Sequence, residues 1–141
     1  MLISSLIATA VMTIFSFLFS AFFRREYQIP IVISHVLADL FRKKANPVYL
    51  ACGWLGHFVI GIIFSSAFYF PHWARESRYD VSLMYGFAMG CAFGAIGCLL
   101  WRAVFYVTPF SKPLLPYGYY VHLYLAHILF AVALAIAPCC I

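Results

Sequence analysis

The chain has 141 residues, of which 66% are hydrophobic, 20% aromatic and only 9% charged, with a mean hydropathy of +0.98. A water-soluble domain carries about 25% charged residues because its surface must be solvated, so this composition excludes an ordinary soluble protein and makes the lipid bilayer the expected partner. The formal net charge of +5 then reads as a device for membrane orientation, and no nucleic-acid partner is expected.

A helix crosses the hydrocarbon core with about 20 apolar residues, and four stretches qualify. The first, about 3–23, stops at Arg24 and Arg25. It lacks the basic leader and small-residue cleavage site of a signal peptide and is read as a retained helix. The connector 24–46 carries Arg24, Arg25, Arg42, Lys43 and Lys44. Inside it, residues 31–41 set apolar side chains at helical spacing between basic flanks, which predicts a short amphipathic helix at the membrane surface. The second span, about 47–70, begins with Pro47, a residue suited to a helix start. A short polar connector, 71–80, balances Arg75 and Arg78 against Glu76 and Asp80. The third span, about 81–101, is closed by Arg102, and Pro109, Pro113 and Pro116 predict an irregular turn. The last span is about 117–138. None of the four interiors contains Asp, Glu, Lys or Arg.

The first and third connectors hold seven Lys and Arg residues against two in the second. The bias of basic residues toward the cytoplasm places those two connectors inside and both termini outside. Trp101, Tyr106, Tyr117, Tyr119 and Tyr120 at one edge, with Tyr69 and Trp73 at the other, read as aromatic belts. Cys52, Cys91, Cys98, Cys139 and Cys140 include no C-x-x-C pair and describe no disulfide framework; they read as small packing residues.

An internal repeat is the most informative pattern. Residues 54–62 (Trp-Leu-Gly-His-Phe-Val-Ile-Gly-Ile) match residues 124–132 (Tyr-Leu-Ala-His-Ile-Leu-Phe-Ala-Val) position by position, with His57 and His127 lying 70 residues apart. Aligning Arg25 with Arg102 also pairs Thr9, Thr13, Phe17 and Ala21 with Gly86, Gly90, Gly94 and Cys98. Two helical hairpins of the same orientation are therefore predicted, related by a pseudo-two-fold along the membrane normal. The fold class is an all-α membrane protein, one domain over 1–141, with four transmembrane helices as two parallel-repeat hairpins and the surface helix.

Gly86, Gly90 and Gly94 form a double small-x-x-x-small stripe, and Gly53, His57, Gly61 and Ser65 share the same spacing. Without a Cβ, helices approach closely and gain van der Waals contact. Packing within the bundle is the expected use, and a homo-oligomeric contact is the other. His57 and His127 each lie about 15 Å from the cytoplasmic start of their helix, and polar groups at that depth should face inward. They read either as neutral imidazoles bonded to neighbouring helices or as a ligand pair. The pair could hold haem iron axially, with Gly53, Gly56 and Gly61 leaving room for the macrocycle, or a transition metal with help from His122 or a Cys. His122 reads as an interface residue; His35 and His72, in connectors, carry no signal. A transport component is a further alternative, but no embedded carboxylate or broken span supports it. No catalytic constellation is recognisable, so the reading is a non-enzymatic integral membrane protein.

Residues 8–13 (Ala-Thr-Ala-Val-Met-Thr), Gly56-His57 followed by Phe64 and Tyr69, Gly86/Gly90/Gly94, the prolines 109, 113 and 116, and Ala126-His127 together resemble small bacterial inner-membrane proteins of the YagU type. The resemblance covers most of the chain through loose motifs. It implies a bacterial inner-membrane location and brings no catalytic residues. The orientation is directly testable: a reporter enzyme that is active only in the cytoplasm, fused to the C-terminus, should be silent, whereas strong activity would overturn the topology.

Overall fold

The computed structural model describes residues 1–44, 46–74, 81–108 and 116–137. They form five helices, α1 (Leu2–Phe23), α2 (Ile29–Leu40), α3 (Pro47–Ala74), α4 (Leu83–Val107) and α5 (Pro116–Ile136). α1, α4, α5 and the Pro47–Pro71 part of α3 are long and apolar enough to cross a membrane. The protein is thus an all-α membrane protein with four candidate spans. Residues 75–80, most of the second connector, and 109–115, with Pro109 and Pro113, lie outside the described residues, as do Cys139 and Cys140.

Helix ends follow local chemistry. Asn46 Oδ1 accepts from the backbone N–H groups of Val48 and Tyr49 at 3.0 and 3.1 Å, capping α3; Ser82 Oγ does the same for Tyr85 N–H at the start of α4. α1 and α2 both end on an arginine in the left-handed conformation, Arg24 and Arg42, each with φ 52°. In both, the next residue's N–H reaches back five positions, Arg25 to Ser20 and Lys43 to Ala38. Glycine normally fills that position; an arginine accepts about 1–2 kcal/mol of steric cost but sets a cation against the helix's negative end. The third span differs from expectation, since α4 runs through Arg102 to Val107. Arg102 is exposed, and a long basic side chain can lie along apolar surface while its head reaches water, so its charge does not stop the helix.

α4 and α5 pack most extensively, and their contact is made by glycines. A Cβ on Gly90 would stand 2.6 Å from Ile128 Cα, one on Gly86 2.9 Å from Ala135 Cβ, and one on Gly94 2.7 Å from the Tyr124 ring. The other side of α5 packs on α1, and α3 touches α5 only lightly. A two-fold repeat would require the α1–α3 and α4–α5 hairpins to pack alike, and they do not. The two proposed stripes also diverge. Gly86, Gly90 and Gly94 are buried, whereas Phe17 and Ala21 are exposed, and α1 instead buries Ser5, Thr9, Met12, Ser16 and Ser20.

α2 departs from a purely surface-lying helix. It packs on α3, burying Ile29, Pro30, Val32, Ser34 and Ala38. A Cβ on Gly53 would collide with the Pro30 carbonyl, and one on Gly61 would collide with the Thr9 hydroxyl. The glycine faces are thus occupied within the chain, and an oligomeric contact would need another surface. Two residues read as belt aromatics are interior: Tyr69 donates to the Leu134 carbonyl at 2.8 Å, and Tyr119 is fully buried. Tyr106 and Tyr117 are exposed as a belt requires, and Trp73 lies outside the described side chains.

Gly90 faces backbone atoms that cannot rotate away, whereas a Cβ on Gly56 meets nothing closer than 3.9 Å. Gly90→Ala should therefore destabilise the protein by about 1–3 kcal/mol, the usual cost of overpacking, while Gly56→Ala should be close to neutral. Thermal unfolding in detergent checks both; equal behaviour of the two variants would contradict the packing.

Candidate functional site

His57 of α3 and His127 of α5 are both buried, at 4% and 5% exposure, and the structure brings them to one cavity. Each ring is oriented by a single hydrogen bond. The Thr13 hydroxyl donates to the Thr9 carbonyl at 2.7 Å, so its one proton is committed. Its oxygen therefore accepts from Nε2–H of His57, 2.9 Å away, and the neutral ring keeps its lone pair on Nδ1. His127 is the reverse. Its Nδ1–H donates to the Leu123 carbonyl at 2.8 Å, leaving the lone pair on Nε2. Gly97 supplies the seat for the His127 ring, since a Cβ there would stand 2.9 Å from Cε1. Phe64 meets the same ring edge-on at 5.3 Å.

The cavity has a volume of about 390 Å³ and is a cleft, not a sealed void. All five helices line it, with Ile33 and Leu37 of α2, Ile60 of α3, Leu100 of α4, and Leu123 and Phe130 of α5 among its apolar walls. Its lining contains no Lys, Arg, Asp or Glu among the described residues. Gly56 and Gly61 lie on the wall, as the room-making role required, but Gly53 is spent on α2.

Sequence reasoning misplaced His122. It is fully buried between α1 and α5, not at an interface. Ser16 donates to the Met12 carbonyl at 2.9 Å and so accepts from His122 Nε2–H at 3.0 Å. The rings of Phe15, Phe19 and Tyr27 surround the imidazole, with centroids 5.1–5.7 Å away, and Nδ1 has no partner. The signal was present in the sequence. Tyr119, His122, Ala126 and Phe130 fall at three- and four-residue spacing, which marks one helix face. The hydroxyls of Ser5, Thr9, Ser65 and Tyr119 are likewise sealed without partners.

Among the described residues no group of three His, Cys, Asp or Glu side chains is placed to hold a metal, so His122 does not complete a site with His57 and His127. Haem fits no better. His127 is oriented as an axial ligand would be, but Nε2 of His57 is engaged by Thr13, and the lining has no basic residue to meet carboxylates. What the arrangement offers chemically is an apolar enclosure with two imidazoles in its wall.

These features define the class, an all-α membrane protein with an apolar interior cleft. No family model, curated protein or solved structure matches the chain.

The Thr13–His57 bond is open to a double-mutant cycle. Thr13→Val strands the buried Nε2–H and should cost about 1–3 kcal/mol, whereas the same change in a His57→Phe background should cost far less. Additive effects on detergent unfolding would show that the bond contributes nothing.

Proposed function

We propose that this chain is a non-enzymatic, multi-pass protein of the bacterial inner membrane that holds a small lipid-soluble molecule in the cleft beside His57 and His127. The observation that carries this reading is the cleft itself. Well-packed interiors contain few voids larger than a water molecule, and ligand sites are concave, mostly apolar and equipped with few polar groups. A 390 Å³ cleft lined by all five helices fits that description. Among the described residues its lining holds no carboxylate to meet a transported cation. The resemblance to YagU-type proteins supports the inner-membrane location, and the distribution of Lys and Arg supports termini outside the cytoplasm.

Trp101 lines the cleft and can report occupancy once Trp54 and Trp73 are replaced by Phe. In that background, bromodecane added to nanodiscs should quench Trp101 saturably, and unbrominated decane should reverse the effect. Gly56→Leu combined with Ile60→Phe fills the space and should abolish the saturable component. Quenching that rises linearly with probe, unchanged by the filling substitutions, would mean that Trp101 meets the probe only from bulk lipid.

A further inference from the structure

We infer that the cleft selects neutral molecules bearing a hydroxyl group, whose proton is accepted by the bare imidazole nitrogen of His127 or of His57. The inference rests on the binding function proposed above and adds to it the chemistry of the ligand's polar end.

Three observations lead there. The first is charge: with no Lys, Arg, Asp or Glu in the lining among the described residues, an ionised head group would be buried uncompensated, which is strongly unfavourable. Phosphates, carboxylates and ammonium groups are therefore disfavoured. The second is direction. His127 gives its only proton to Leu123 and His57 gives its own to Thr13, so Nε2 of the one and Nδ1 of the other can only accept. The third is access. The sealed, partnerless side-chain atoms are the hydroxyls of Ser5, Thr9, Ser65 and Tyr119 and Nδ1 of His122. The two lone-pair nitrogens are not among them, and both residues, though more than nine-tenths buried, line the cleft. Both imidazoles therefore form part of its wall.

A buried acceptor without a donor is costly, and the cleft as built presents two. An apolar molecule alone would leave both unanswered, and an ether or ketone would bring a further acceptor. A primary amine would have to shed its charge to enter. A hydroxyl is the neutral donor that lipid-soluble molecules commonly carry, and an alcohol or phenol on an apolar body satisfies wall and nitrogen together.

The test compares three probes of matched length, ω-bromodecanol, its methyl ether and bromodecane. It uses the Trp54→Phe/Trp73→Phe protein in phosphatidylcholine nanodiscs, whose lipid has no free hydroxyl to compete. The alcohol should saturate Trp101 quenching at a concentration about tenfold below that of the ether or the alkane, a difference of about 1.4 kcal/mol. His127→Phe should reduce the alcohol's advantage over the alkane, and His127→Phe combined with His57→Phe should remove it. Equal saturation by all three probes would overturn the hydroxyl preference and leave the binding function standing. Absence of saturable quenching by any probe would overturn both. Should His127→Phe fail to fold, the three-probe comparison on the unsubstituted site decides the matter alone, and His57→Phe supplies the second variant.

Discussion

The structure depends on how closely α4 and α5 approach. In lipid, apolar surface alone does not drive helices together, because the tails are as apolar as leucine. What does is close van der Waals contact, and Gly86, Gly90 and Gly94 permit it over more than two turns. Once α5 is pressed against α4 on one side and α1 on another, α3 cannot also lie along it. α3 instead ties to the others toward its C-terminal end. Tyr69 donates to the Leu134 carbonyl, Tyr85 of α4 donates to the Phe68 carbonyl at 3.0 Å, and the Phe64 and Phe93 rings meet at 4.8 Å. Toward its N-terminal end α3 leans on α2 at Gly53, and the space left among the five helices is the cleft. The cavity follows from the packing elsewhere.

Polar groups in this interior are held by an economical rule. Three of the six hydroxyls on α1, those of Thr13, Ser16 and Ser20, bond back to a carbonyl one turn earlier. Such a hydroxyl has spent its proton and can only accept. Two imidazoles, His57 and His122, use that acceptor, and both tautomers are thereby fixed from α1. His127 is fixed from its own helix. The three rings thus differ in setting: one is sealed among aromatic rings, and two line the cleft.

Much of the architecture was legible in the sequence, for identifiable reasons. Four stretches without a charged residue read as spans, and Pro47 marks the start of α3 because the first turn is where a proline costs a helix least. The small-residue stripes were readable as contact surfaces, but not their partners, since a glycine shows that something comes close without showing what. Arg102 looked like a stop because charge is costly in lipid, and the length of its side chain was left out of account. Tyr69 and Tyr119 looked like belt residues because an aromatic near a span's end suits the interface and the interior equally. The matched His segments suggested a symmetry that the packing does not keep. The cleft was legible only in part, as room beside Gly56 and Gly61, because its other walls come from side chains of all five helices.

α1 has a further consequence. Its principal partner is α5, the last of the four spans in the chain, and its pairing with α3 is the looser one. Helices enter the bilayer in the order in which they are synthesised, so the first span waits beside α2 and α3 through the insertion of α4. Only when α5 arrives do Ser16 and its neighbours gain the surface they were shaped for. A chain halted before that point would leave Ser16 without His122 and facing lipid, a chemical mark by which a copy lacking α5 differs from one that holds all four spans.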